Sequence, residues 1–156
     1  MYKDFQGTHG VNLSADVCGV KLPNPFILAS GPETDSAEKV LRAFDCGWGG
    51  AILKTVAMDL NAHTNVTPRF NTVKLNGKPV GFTNMEVSST HDLDWWAEVV
   101  HRIKREFPDR PIFASIMRTS NRNEDDWVKA AKVFTQAGVD GFELNFSCSH
   151  AFHSAG

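Results

Sequence analysis

The stretch PFILASGPETDSAEKVLRAFDCGWGGAILKT, residues 25–55, decides the fold class of this chain. An apolar run at 26–29 stops at a Ser-Gly-Pro sequence, which is typical of the end of a strand. Five apolar residues then recur at helical spacing on one face, namely Ala37, Val40, Leu41, Phe44 and Trp48. Gly47 suits the end of that helix, and a second apolar run follows at 50–53. The stretch therefore predicts a strand, a helix and a second strand.

The same rhythm continues along the chain. The predicted strands lie at 26–29, 50–54, 111–116 and 141–146. A β-hairpin is predicted across residues 13–22, and Asn76-Gly77 predicts the tight turn of a second hairpin. Near-continuous apolar strands that alternate with amphipathic helices favour an α/β fold with a parallel sheet. Two architectures fit this pattern, an open doubly wound sheet and a (β/α)₈ barrel.

Composition excludes several classes of protein. With 156 residues, 42% of them hydrophobic and 22% charged, the chain is an ordinary globular sequence that fits one domain. The net charge of −2 gives no attraction to nucleic acid or to an anionic membrane. No apolar run approaches the roughly 20 residues of a membrane span, and the N-terminus lacks a secretory pattern. A reduced, cytoplasmic protein is expected.

The cysteines and histidines predict no metal centre. Cys18, Cys46 and Cys148 are too few and too scattered for a disulfide framework, and they form no zinc or iron–sulfur motif. Cys18 and Cys46 are expected to behave as small buried hydrophobes. The six histidines show no metal-ligand spacing. Phosphate-binding glycine loops of the GxGxxG or GxxxxGK[ST] type are absent from the sequence, which disfavours a dinucleotide or nucleoside triphosphate site.

Polar residues follow the predicted strands, where either architecture places its chemistry. They are Ser30, Lys54, Thr55 and Asn145. Lys54 would lie partly withdrawn from water at the end of its strand. A strand-end lysine that extends its amine back to solvent is the simpler alternative.

Two further clusters carry groups suited to chemistry. Asn84 and Glu86 together offer an amide donor, an amide acceptor and a carboxylate, which suits a small ring with amide edges. A polar turn before a helix explains the same residues equally well. Cys148 follows the fourth strand in a polar loop, where a thiol can exchange a proton or act as a nucleophile.

Together these clusters resemble the dihydroorotate and dihydropyrimidine dehydrogenases. Four motifs occur in the order of that family: NPFILASG at 24–31, GAILKT at 50–55, GFTNME at 81–86 and ELNFSC at 143–148. The Asn-Met-Glu version of the third motif is closer to the dihydropyrimidine enzymes, and closest to the catalytic FMN-binding subunit of the bacterial NAD-dependent type. Dihydroorotate dehydrogenase is the alternative in the same class.

The resemblance implies a (β/α)₈ barrel that holds FMN at the carboxyl ends of its strands. By motif, the residues beside FMN would be Ala29, Ser30, Lys54 and Thr55. Those that hold the pyrimidine base would be Asn84, Glu86 and Asn145. Cys148 would protonate the base, with NADH as the ultimate electron donor and an NAD(H)-oxidising flavoprotein subunit as partner. The iron–sulfur clusters of the full-length family would have no ligands here.

Four strands correspond to the N-terminal half of such a barrel, preceded by the hairpin. Residues 1–156 are therefore expected to be a partial flavin-binding domain, a fragment that is inactive by itself. An isolated half barrel with open sheet edges is expected to aggregate or to form oligomers through those edges. It is also expected to have negligible affinity for FMN at micromolar concentrations. A non-catalytic half barrel that serves as an interaction module is the alternative from another class.

Overall fold

The computed structural model describes residues 11–58, 68, 70–118 and 125–146. The strands are β1 (Ala15–Val17), β2 (Val20–Leu22), β3 (Ile27–Leu28), β4 (Gly50–Ile52), β5 (Val56–Ala57), β6 (Phe70–Leu75), β7 (Lys78–Asn84), β8 (Ile112–Met117) and β9 (Gly141–Leu144). The helices are α1 (Ala37–Asp45), α2 (Leu93–Glu106) and α3 (Asp125–Ala137), and a short 3₁₀ turn lies at Pro32–Thr34.

A parallel sheet of β3, β4, β5, β8 and β9 forms the centre of the fold. β3 pairs with β4, both β4 and β5 pair with β8, and β8 pairs with β9. β4 pairs with β8 at Ile112, and β5 pairs with the same strand further along, at Ile116. β4 and β5 therefore occupy one position in the sheet, one after the other. Strand order therefore follows the chain. A doubly wound sheet reverses its order at a switch point, and the described sheet has no reversal, which favours the barrel.

The strand predicted at 50–54 is interrupted after Ile52. The N–H of Leu53 still donates to the carbonyl of Phe113 at 2.9 Å, but the N–H of Lys54 donates to the carbonyl of Thr34 at 3.1 Å. This bond to the 3₁₀ turn takes Lys54 out of the ladder, and β5 begins only at Val56. The prediction of one continuous strand is wrong here because the interruption depends on a partner in another loop.

The three helices cover one face of the sheet. α2 packs against both α1 and α3. It buries Trp96, Val100 and Ile103 at helical spacing, and these side chains share one core with sheet residues such as Ala51 and Ile116. The apolar faces predicted for the helices are therefore confirmed.

The other face of the sheet and its two edges are less covered. Ile52 and Phe113 form a register pair on that face, and both are only half-buried. Within the described part of the chain, β3 and β9 each pair with a single neighbour. The last strand and its continuation also carry three exposed apolar side chains on alternate residues, Phe142, Leu144 and Phe146.

Two antiparallel hairpins project from the sheet. β6 and β7 are joined at Asn76 (φ 49°) and Gly77 (φ 78°), which confirms the predicted tight turn. β1 pairs with β2 through a turn at Cys18 and Gly19. Both Cys18 and Cys46 are exposed, so the expectation of buried thiols is wrong. Cys18 lies in the turn, and Cys46 lies just past the last residue of α1.

The described residues contain neither a membrane-spanning helix nor a cluster of metal ligands. None of their helices is long and apolar enough to cross a membrane. Their histidine, cysteine and acidic side chains include no group of three that is placed to hold a metal ion.

Candidate active site

A polar cluster lies where the parallel strands end. Ser30 follows β3, Lys54 and Thr55 lie between β4 and β5, and Asn145 follows β9. The carboxyl ends of parallel strands meet at one edge of a sheet, so residues that are far apart in sequence come together there. Ser115, from the middle of β8, completes the cluster.

The hydroxyl of Thr55 is the centre of this cluster. Its Oγ1 lies 2.8 Å from Ser115 Oγ and 3.2 Å from Ser30 Oγ. The side-chain amide of Asn145 donates to the same oxygen at 3.1 Å. In addition, the Thr55 N–H donates to Ser30 Oγ at 3.0 Å. One threonine thus connects side chains from three other strands, at the ends of β3 and β9 and in the middle of β8.

Lys54 forms an ion pair with Glu86. Its Nζ donates to Glu86 Oε2 at 2.5 Å, and the two side chains retain 9% and 35% of their exposure. The amine therefore ends on a carboxylate rather than in water, which argues against the simpler alternative of a solvent-directed lysine. A charge-assisted hydrogen bond with one partner buried is among the stronger polar contacts in a protein. It fixes both side chains beside the Thr55 network.

Backbone contacts hold these side chains in place from two sides. On one side, Thr34 is fully buried, and its Oγ1 accepts from the Gly31 N–H at 3.1 Å while its carbonyl accepts from the Lys54 N–H. On the other side, the Ser89 N–H donates to the Thr55 carbonyl at 2.7 Å. The Ser89 hydroxyl accepts from the Trp96 indole N–H at 2.8 Å, which ties the segment after Glu86 to α2.

The structure brings together five of the residues predicted from the sequence: Ser30, Lys54, Thr55, Glu86 and Asn145. Ala29 lies directly before Ser30 and is exposed. Asn84 is also exposed, as the last residue of β7, and its side chain forms no hydrogen bond with the described members of the cluster. Cys148 lies outside the described residues.

Sequence reasoning missed three hydroxyl residues that support the site: Thr34, Ser89 and Ser115. Each is buried and bonded to another part of the chain. For Ser115 the available signal was a hydroxyl within an otherwise apolar strand, since a buried polar side chain needs a partner. The sequence does not say which partner that is.

The fold and the site together define the class of protein. A parallel α/β sheet wound in chain order, with its polar cluster at the carboxyl ends of the strands, is the arrangement of a barrel-type enzyme domain. The family model described as dihydroorotate dehydrogenase matches residues 12–154, and the chain belongs to this family. The predicted resemblance is confirmed.

Three relatives come from the two branches of the family that the chain resembles. The chain is 40% identical to the NAD-dependent dihydropyrimidine dehydrogenase subunit PreA of Escherichia coli over 148 residues, or 92% of this chain and 35% of the relative. It is 39% identical to the chloroplastic dihydropyrimidine dehydrogenase (NADP(+)) of Arabidopsis thaliana over 145 residues, or 89% and 34%. The catalytic subunit of dihydroorotate dehydrogenase B (NAD(+)) of Methanocaldococcus jannaschii is 29% identical over 142 residues, or 89% and 43%. The chain thus spans about a third of the length of the first two relatives.

Proposed function

We propose that this chain supplies the flavin-binding and pyrimidine-binding edge of an FMN-dependent dihydropyrimidine dehydrogenase. The observation that carries the proposal is the convergence of Ser30, Lys54, Thr55 and Asn145 at the carboxyl edge of the sheet, with Glu86 paired to the lysine. The reaction would reduce uracil or thymine to the 5,6-dihydro form, with NADH as the ultimate donor.

Sequence identity to the relatives favours dihydropyrimidine dehydrogenase over dihydroorotate dehydrogenase. The two dihydropyrimidine dehydrogenases are 39% and 40% identical, whereas two dihydroorotate dehydrogenases are 29% and 26% identical. Glu86 supports the same choice, because a fixed carboxylate beside the ligand repels the carboxylate of dihydroorotate or orotate. An uncharged pyrimidine base has ring N–H groups that can donate hydrogen bonds to a carboxylate.

The donor set of the cluster fits the ring of a flavin. A flavin ring offers carbonyl oxygens and ring nitrogens as acceptors, and Lys54 and Ser30 are donors beside the exposed residue Ala29. Ala29, Ser30, Lys54 and Thr55 would therefore hold FMN. When bound, FMN supplies the hydride chemistry of the reaction.

Asn84, Glu86 and Asn145 would hold the amide edges of the pyrimidine. Lys54 donates to Glu86 and fixes its orientation, and Thr55 fixes the amide of Asn145. Cys148 would then donate the proton to C5 of the base. Two groups that act on adjacent carbons must be held in register with the ring, and such positioning contributes several kcal/mol to lowering a barrier.

The remaining strands of the barrel, and the partner that supplies electrons, belong to the same proposal. β3 and β9 are the open edges of the described sheet, and in a closed barrel each would pair with a further strand. The Escherichia coli relative is named as a subunit. An NAD(H)-oxidising flavoprotein subunit would accordingly be the partner of the complete enzyme.

NMR titration of the 156-residue chain with FMN tests the proposal, because chemical-shift changes also report binding in the millimolar range, about −4 kcal/mol. Saturable shifts at Ser30, Lys54 and Thr55, with none in β1 and β2, are the expected result. A chain that shows no saturable shift at these residues with millimolar FMN contradicts the flavin assignment.

A second titration separates the two substrates. Uracil and thymine should shift Glu86 and Asn145 in the FMN-containing sample more strongly than orotate does. Glu86→Gln serves as the control, because removing the charge should narrow the difference between uracil and orotate. A stronger response to orotate in the unmodified chain would instead favour dihydroorotate dehydrogenase.

A further inference from the structure

Ser115 is a buried hydroxyl for which the proposed reaction has no use. It is fully buried in β8, and its neighbours in that strand are the apolar residues Ala114 and Ile116. Among the described residues its hydroxyl has one partner, Thr55 Oγ1 at 2.8 Å. A buried hydroxyl proton without an acceptor costs about 1–3 kcal/mol, so Ser115 is expected to donate to Thr55.

The donors around Thr55 then fix the direction of its own proton. A threonine hydroxyl has one proton and two lone pairs. Asn145 donates its amide to Thr55 Oγ1, and Ser115 donates to the other lone pair. The single proton of Thr55 therefore goes to the remaining neighbour, Ser30 Oγ at 3.2 Å.

The same counting applies to Ser30. Its Oγ accepts from the Thr55 hydroxyl and also from the Thr55 N–H at 3.0 Å. Both of its lone pairs are then occupied, so its own proton is directed away from Thr55. Ser30 is half-buried at the edge of the sheet beside the exposed Ala29, where a bound ligand would meet that proton.

We infer that Ser115 is a positioning residue, which acts through Thr55 to make Ser30 a hydrogen-bond donor toward a ring acceptor of the bound ligand. The ligand atom beside Ser30 would be a carbonyl oxygen or an unprotonated ring nitrogen, and an N–H group would be disfavoured there. The identity of the ligand as FMN rests on the proposed function. The direction of the hydrogen bonds from Ser115 to Thr55 and from Thr55 to Ser30 does not depend on the proposed function.

The direction is tested in the free chain by NMR of the hydroxyl protons of labelled serine and threonine. Slow exchange is expected for the Ser115 and Thr55 hydroxyl protons, with a close approach of the Ser115 proton to the Thr55 side chain. Rapid exchange is expected for Ser30. A slowly exchanging Ser30 proton that points at Thr55 overturns the inference.

Ser115→Ala tests the effect on the ligand. Without the donor from β8, Thr55 can accept from Ser30, so the outward donor is partly lost and FMN affinity should fall about two- to tenfold, the range of one neutral hydrogen bond. Ser115→Thr keeps a hydroxyl at the same position and should restore the affinity. Unchanged affinity in Ser115→Ala, measured in a folded sample, contradicts the role.

A double-mutant cycle separates positioning from a general loss of structure. If Ser115 acts through Ser30, adding Ser115→Ala to Ser30→Ala should leave FMN affinity unchanged, even where both variants lower the melting temperature. If the fold losses in FMN affinity of the two single variants multiply in the double variant, Ser115 acts on the ligand independently of Ser30. If FMN changes the chemical shifts of none of the site residues, the proposed function fails. Hydroxyl exchange in the free chain still decides the direction of the hydrogen bonds from Ser115 through Thr55 to Ser30.

Discussion

The ion pair between Lys54 and Glu86 gives the sharpest test of the site, because its two members are buried to different degrees. Lys54→Met keeps the length of the side chain and leaves a carboxylate that is still 35% exposed, so water can solvate it. Glu86→Gln leaves an ammonium whose side chain is only 9% exposed. Breaking a buried pair costs about 3–5 kcal/mol. Glu86→Gln should therefore destabilise the fold by about 3 kcal/mol, and Lys54→Met by less, about 1 kcal/mol.

Urea unfolding followed by tryptophan fluorescence measures both losses, and Trp96 is a suitable reporter because it is fully buried against the helices. The double variant removes both charges, so its loss should be smaller than the sum of the single losses by about 1–3 kcal/mol. Lys39→Met is the matched control. Lys39 also pairs with a carboxylate, Asp35 at 2.8 Å, but both side chains are exposed, and the cost should stay below about 1 kcal/mol.

Additive losses in the double variant would refute the reasoning, since they would mean that the two charges do not interact. A cost for Glu86→Gln no greater than that of Lys39→Met would refute it as well. In that case the close contact would contribute nothing to stability, and Lys54 would be a solvent-directed lysine after all.

Three other predictions concern the rest of the fold. Gly49→Ala should destabilise the chain by about 1–3 kcal/mol in thermal melts, because an added Cβ would lie 2.2 Å from the Asn24 carbonyl oxygen; an unchanged melting temperature would contradict this packing. The backbone N–H of Glu38 and then Arg102 lower the pKa of the Glu38 carboxyl, so this group stabilises the fold above its unfolded pKa and loses that effect as pH falls through the folded value. Glu38→Gln should therefore reduce the fall in the free energy of unfolding as the pH is lowered. An equal fall in the variant and the unmodified chain would count against this prediction. Leu144→Lys places a charge on the open edge strand and should shift the chain toward monomer in size-exclusion chromatography, whereas an unchanged elution profile would argue against association through this edge.

The alternation of strands and helices was predictable because it depends on local periodicity. Trp96, Val100 and Ile103 repeat at helical spacing, and the structure buries all three in α2. The break between β4 and β5 was not predictable, since it arises from a hydrogen bond between Lys54 and Thr34. No pattern within residues 50–57 encodes a partner in a different loop.

The site was predictable to the extent that it lies at strand ends. Ser30, Lys54 and Asn145 follow apolar runs, and parallel strands bring such positions to one edge. Ser115 lies inside its strand, where no end marks it, and its importance appears only when Thr55 is found beside it. The side chain of Asn84 was predicted for the site, but its place in an exposed hairpin gives it no bond to the described cluster.

The five hydrogen bonds of Thr55 couple the groups at this edge of the sheet to one another. The Asn145 N–H also donates to the Ile116 carbonyl at 2.9 Å, so backbone and side-chain bonds at the ends of β8 and β9 share the same few atoms. A fluctuation that separates one of these pairs removes the geometry that the others need. Protection of the Thr55, Ser89 and Asn145 amides against deuterium should therefore be lost in a single cooperative event, with one common opening free energy.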